Sequence, residues 1–279
     1  MNFEKAAEII KSSKSVLVIT GAGISAESGV PTYRGPGGLY TDSPGLENIL
    51  TAETLKNDPA RVWEHINEMR VIVKNSSPNK THKILAKWEK QNIFSNFLIA
   101  TQNVDGLHKE AGSNRVSELH GNIWEFARPE KIDFSEDDQF SQDILAYLSG
   151  NDIEHIYQKW SHDNNHIVWE NREVPFKSIP PCPDDPDVRP NVVLFNEEYG
   201  NRLLCVDHFL KKECDLLLIA GCSGAVYILD RIINIALTQN PACNIININP
   251  FEDCIYKENH IYLKYSAEEA FQTLDEDIY

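Results

Sequence analysis

A chain of 279 residues, 42% hydrophobic and 24% charged, is long enough to bury a full core in one large domain or two unequal ones. A formal charge of −16 excludes the basic stripe that a nucleic-acid surface needs, and no apolar run approaches the ~20 residues of a membrane span. Six cysteines stand singly with no Cys-x-x-Cys pair, and the first residues carry no secretory pattern, so reduced thiols and a cytoplasmic location are expected.

From the amino terminus, residues 2–10 have the spacing of an amphipathic helix, and Val16-Leu17-Val18-Ile19-Thr20 reads as a buried strand. A glycine turn follows at once, Gly21-Ala22-Gly23-Ile24-Ser25, and continues through Gly29-Val30-Pro31-Thr32-Tyr33-Arg34-Gly35. Glycine lacks the Cβ that would keep backbone N–H groups away from a pyrophosphate, so such a turn after a strand suits a phosphate. Asp58-Pro59 opens a helix by an acidic cap and a proline in the first turn, with Val62, Ile66, Met69 and Val73 as its apolar stripe. A second helix runs from Asn79 through Ile84, Leu85 and Trp88.

Phe97-Leu98-Ile99-Ala100-Thr101 is the next strand. The polar run Gln102-Asn103-Val104-Asp105-Gly106-Leu107-His108 lies at its C-terminal end, the edge at which open parallel sheets bind ligands. Leu119-His120-Gly121 comes next, and three further apolar runs follow at 192–195, 216–220 and 244–248. Near-continuous apolar strands alternating with helices predict a doubly wound, parallel-sheet α/β domain of the Rossmann type. It is built from residues 1–129 and 181–279. The polar and aromatic stretch 130–180, helical in pattern at 141–148 and 153–160, reads as a small, mainly helical inserted module.

The first glycine motif, then Thr101-Gln102-Asn103-Val104-Asp105-Gly106-Leu107-His108, then His120-Gly121, resembles the core of the sirtuins, the NAD-consuming protein deacylases. Arg189-Pro190-Asn191-Val192-Val193-Leu194-Phe195, Gly221-Cys222-Ser223 and Ile245-Ile246-Asn247 extend the resemblance. It implies NAD+ as co-substrate. By similarity Gly21, Ala22, Gly23 and Ser25 hold its phosphates, and Arg34 closes over it. Gln102 and Asn103 contact the nicotinamide ribose, Asp105 anchors the carboxamide, and Gly221, Ser223 and Asn247 bind the adenosine half. His120 is implied as the general base on a ribose hydroxyl, with Asn103 as the second catalytic residue.

The chain departs from the family pattern in three places. Residues 122–129 offer no thiol, and Cys182-Pro183-Asp184-Asp185 keeps one cysteine of the usual second pair, so no structural zinc is expected. His162 and His166 with Cys182 are the one alternative metal set. Phe195-Asn196-Glu197 replaces the family's Phe-Gly-Glu, whose backbone pairs with a substrate strand, and the proline of the third glycine motif is absent. The Tyr-x-x-Arg pair of deacylases for acidic acyl groups falls on Ile66 and Met69, which disfavours desuccinylation; Arg70 would point about 100° away on a helix.

Intact cofactor motifs beside a missing zinc site and an altered peptide groove favour an NAD+ glycohydrolase, a regulated effector of the kind used in anti-phage defence. A protein-lysine deacylase acting on an acyl-lysine substrate is the alternative, and mono-ADP-ribosyl transfer the third reading. A hydrolase of this kind would need restraint by a homo-oligomer or a regulatory subunit.

Overall fold

Alternation along each central strand sends neighbouring side chains to opposite faces of one sheet, and both faces are buried. The computed structural model describes residues 2–35, 37–42, 44–127, 189–212, 214–251 and 260–278. In chain order these form α1 (Asn2–Ser12), β1 (Ser15–Thr20), a 3-10 turn (Ala22–Ser28), α2 (Leu39–Asp42), α3 (Leu46–Ile49), α4 (Ala52–Asn57), α5 (Pro59–Lys74) and α6 (Lys80–Lys90). Next come β2 (Asn96–Thr101), α7 (Leu107–Glu110), β3 (Val116–Glu118), β4 (Gly121–Ala127) and β5 (Arg189–Val192). A second 3-10 turn (Gly200–Leu203), α8 (Leu204–Lys211), β6 (Leu216–Ala220), α9 (Tyr227–Gln239), β7 (Asn244–Ile248), β8 (His260–Leu263) and α10 (Ala267–Ile278) complete the order.

Six strands form one parallel sheet in the order β3-β2-β1-β6-β7-β8. Counted in chain order among themselves they run 3-2-1-4-5-6, the doubly wound order of dinucleotide-binding folds, so the expected α/β class is observed. Val16 and Val18 of β1 pack with Phe97, Ile99, Leu216 and Leu218 beneath α1, α6 and α10. Leu17 and Ile19 pack on the other face with Leu98, Leu217 and Ile219 beneath α8 and α9. Each such side chain, fully removed from water, stabilises the fold by about 1.5–3 kcal/mol.

The run at 192–195 was expected in this sheet and is not part of it. Arg189–Val192 instead pairs antiparallel with β4 in a separate two-stranded sheet, and Val193 to Phe195 continue beside Leu50 and Thr51. Pro190 has no N–H to donate, which suits an edge ladder better than a central parallel strand. β3 and β8, three and four residues long, fall below the length at which an apolar run is recognisable. The inserted module at 130–180, its two helices, and Cys182, His162 and His166 lie outside the described residues.

The sheet reverses its winding between β1 and β6, and the glycines that follow these two strands meet there. Gly23 N–H donates to the Gly221 carbonyl at 3.0 Å, and Gly221 N–H donates to the Ile248 carbonyl at 3.0 Å. A Cβ on Gly23 would stand 2.7 Å from the Gly221 Cα. Gly221 has φ +64°, and a Cβ there would stand 2.5 Å from the Ile24 nitrogen. Backbone cannot yield as a flexible side chain can. Gly221→Ala is therefore expected to destabilise the protein by about 3 kcal/mol in urea unfolding, from left-handed strain and overpacking together. A loss below about 1 kcal/mol would refute this account of the crossing.

Candidate functional site

The residues after β1 and β2 open onto a cleft of about 1310 Å³. Gly21, Ala22 and Gly23 line it together with Gly221, Cys222 and Ser223, which meet them at the crossing, and Gln102, Asn103 and His120 line it as well. The first glycine turn is a 3-10 helix that begins at extended Gly21 and ends at Gly29, whose φ is 84°. Asn79, the cap of α6, pins it from outside: its Nδ2 donates to the Ile24 carbonyl at 2.7 Å, while its Oδ1 accepts from the Thr81 and His82 N–H groups.

Behind the cleft lies a polar layer that the cleft does not reach. Ser25 is fully buried; its hydroxyl donates to Asp105 Oδ2 at 2.8 Å and accepts from Asn103 Nδ2 at 3.1 Å. Asp105 Oδ1 accepts from the Leu107 N–H at 2.9 Å, and the Asn103 N–H donates to Thr101 Oγ1 at 3.0 Å. Of these three side chains only Asn103 lines the cleft. Ser25 and Asp105 orient it from below, as charge-assisted and neutral hydrogen bonds within one buried network.

His120 follows β3 and is held at both ring nitrogens. Nδ1 lies 2.7 Å from the Gln102 carbonyl oxygen, which can only accept, so Nδ1 carries the hydrogen. Nε2 lies 3.0 Å from the Tyr199 hydroxyl and is then the acceptor of a phenolic O–H. Burial drives the His120 pKa down to about 4, opposed by the Gln102 carbonyl bond and assisted by the Arg202 charge, so the ring is neutral near pH 7. Burial also raises the Tyr199 pKa, keeping the phenol a donor. Tyr199 was not recognised from the sequence: a lone tyrosine four residues beyond Phe195 carries no motif, and only the fold brings it to His120.

A buried imidazole pair, His82 and His108, lies under the first glycine turn. His108 Nε2 meets Thr20 Oγ1 at 2.9 Å, His82 Nδ1 meets Asn79 Oδ1 at 3.0 Å, and the two rings pack edge to face at 4.8 Å. Burial lowers the His82 pKa to about 4, and His108 falls well below its ordinary value through burial and the neighbouring His82.

The remaining expected residues separate by position. Arg34 is exposed at the lip, its guanidinium carbon 5.3 Å from the centre of the Tyr40 ring. Ser223 is exposed on the cleft. Asn247 does not line the cleft: it is fully buried within β7, short of the strand's C-terminal edge. Asn249, just past that edge, lines it instead, and its Nδ2 donates to the Cys222 carbonyl at 2.7 Å. Ile66 lines the cleft and Met69 is buried in the core beside it. Arg70 turns away, its Nε donating to the Ile123 carbonyl at 2.6 Å.

The turn at Phe195-Asn196-Glu197 keeps a left-handed backbone without glycine. Asn196 has φ 69°, a region that asparagine tolerates better than most residues. Glu197 clamps the turn: its carboxylate pairs with the Arg189 guanidinium and accepts from the Leu194 N–H at 2.8 Å. Phe195, Asn196 and Glu197 all face the cleft. Among the described residues no three His, Cys, Asp or Glu side chains are grouped to hold a metal ion, and no helix is long and apolar enough to cross a membrane.

Comparison with known proteins agrees with this geometry. The Sir2 family model matches residues 21–228. The chain is 33% identical over 278 residues to NAD-dependent protein deacylase 1 of Caldanaerobacter subterraneus subsp. tengcongensis, covering 99% of both chains. It is 33% identical over 255 residues to the NAD-dependent protein deacylase of Aquifex aeolicus, covering 91% of this chain and 90% of that one. The solved structure of a Sir2 homolog–NAD complex superposes with a TM-score of 0.74 at 27% identity, over 99% of this chain and 93% of the other. A cleft at the winding reversal, glycines crossing beneath it and a neutral histidine on its wall thus occur in a chain that belongs to the Sir2 family, the sirtuins.

Proposed function

We infer that this chain is an NAD+-consuming protein-lysine deacylase. The observation that carries the acceptor is the left-handed turn at Asn196, which opens onto the same cleft as Asn103 and His120. The expectation of hydrolysis rested on the missing zinc ligands and the altered peptide groove, and at that groove Asn196 holds a left-handed backbone of the kind glycine favours. The relatives named as deacylases cover nearly the whole chain and support the same reading. Water as acceptor, ADP-ribosyl transfer, a defence role, self-assembly and a regulatory subunit draw no support from these observations.

The site fits NAD+ on its own features. Gly21, Gly23 and Gly221 keep backbone, not side chains, at the strand ends, and Ala22 and Ala26 are small where a pyrophosphate would lie. Gln102 and Asn103 offer uncharged amides, Arg34 an exposed cation, and Ser223 with Asn249 further polar groups. NAD+ supplies an anomeric carbon already bonded to a cationic leaving group, and the acyl-lysine amide oxygen is the nucleophile in the proposed reaction. His120 stands neutral with its Nε2 lone pair toward Tyr199, so a ribose hydroxyl that replaces the phenol meets a base ready to take its proton. The polar layer of Ser25 and Asp105 fixes the Asn103 amide, which reduces the reorganisation needed when charge develops nearby.

Incubation with NAD+ and an acetyl-lysine peptide should release nicotinamide only when peptide is present, with O-acetyl-ADP-ribose as the co-product. Asn103→Ala and His120→Ala should each reduce that release by about 100-fold or more. Free ADP-ribose formed equally without peptide would overturn the deacylase reading in favour of hydrolysis.

The pH profile provides a separate check on His120. Because the free enzyme holds this ring neutral down to about pH 4, kcat/KM should stay level from pH 8 to 5 and fall below that. A hydrogen bond donated to the neutral ring opposes its protonation, so Tyr199→Phe should move the acid limb to higher pH. An acid limb already near pH 6.5 in the unaltered protein would contradict the arrangement.

A further inference from the structure

The apolar wall of the cleft contains one buried polar atom that nothing satisfies. Leu50, Ile66, Val104, Val192 and Leu194 form this wall and belong to a single core cluster. His65, on α5 beside Ile66, lines the same cleft and is 8% exposed. Its Nδ1 faces the Glu68 carboxylate at 3.8 Å, one turn along the helix. That anion favours the hydrogen on Nδ1, and burial lowers the pKa and keeps the ring neutral. Nε2 is then a buried lone pair without a hydrogen-bond partner. Buried polar atoms in native structures are nearly always paired, so an orphan on the wall of a cleft points to a missing ligand group.

The position of the wall says which part of a substrate it would meet. The Phe195 N–H donates to the Leu50 carbonyl at 2.8 Å, and the Ala52 N–H donates to the Phe195 carbonyl at 3.2 Å. Leu50 and Leu194 therefore stand directly beside the turn proposed to hold the peptide, and they line the same cleft as Ile66 and His65 of α5. Resting on the deacylase reading, we propose that His65 makes this wall a subsite for hydroxylated short-chain acyl-lysines. The acyl carbons lie against Ile66, Leu50 and Val104, and the His65 ring, whose Nε2 is itself covered, turns to accept the hydrogen of the acyl hydroxyl. A purely aliphatic acyl group of the same length leaves that nitrogen unpaired. A terminal carboxylate brings only acceptors to it and finds no cation, since Met69 is apolar and Arg70 turns away to the Ile123 carbonyl.

The test compares kcat/KM for 3-hydroxybutyryl-lysine and butyryl-lysine forms of one peptide, with the acetyl-lysine form alongside. The unaltered protein should favour the hydroxylated substrate by about tenfold over butyryl, the size of one hydrogen bond to a neutral partner. His65→Phe should abolish or reverse that preference, and His65→Gln, which keeps an acceptor in a polar side chain, should retain part of it. Equal or better turnover of the butyryl peptide by the unaltered protein overturns this inference alone, as does an unchanged ratio in either variant. Failure to process any of the three peptides overturns the deacylase reading and this inference with it.

Discussion

The backbone crossing of Gly23 and Gly221 is the constraint on which the rest of the molecule depends. Two parallel strands wound in opposite directions must both end at the same place, and their following turns must pass each other without side chains. Once they do, the loops after β1, β2 and β6 share one rim, and residues more than a hundred positions apart in the chain face a single cleft. The apolar sheet provides rigidity beneath the rim; the glycines determine how closely the two halves approach.

Above that crossing the site is organised as two polar layers with different duties. The inner layer of Ser25 and Asp105 satisfies itself and carries Asn103 at a defined angle. The outer layer, Gln102, His120 and Tyr199, lies along the cleft: the Gln102 carbonyl fixes the imidazole tautomer, while the phenol occupies the other ring nitrogen. Burial serves both layers by strengthening their hydrogen bonds and by keeping the histidine uncharged.

Much of the architecture was legible because buried parallel strands read as uninterrupted apolar runs, as at Val16 to Thr20 and Leu216 to Ala220. The same signature misplaced the run after Asn191, since an apolar stretch does not reveal which partner it will pair with. Asn247 and Asn249 lie two residues apart, one inside β7 and one beyond it, and a sequence does not say which one clears the sheet edge. Asn196 was legible as a substitution but not as a conformation: its φ of 69° is a property of the chain around it, including the Arg189 clamp on Glu197. Tyr199 and His65 carry no motif, and their importance comes from what lies next to them.

The imidazoles of His82 and His108 give the fold a sensitivity to acidification that its carboxylates do not require. Unfolded, each would take up a proton near pH 6.5; folded, His82 resists protonation until about pH 4 and His108 resists further. Between those values the unfolded chain binds more protons, so stability falls as pH falls, at about 1.4 kcal/mol per pH unit for each ring. The pair sits directly beneath the turn that starts the cleft. Acidification below about pH 6.5 would therefore draw down the stability of the fold through two rings that floor its pocket.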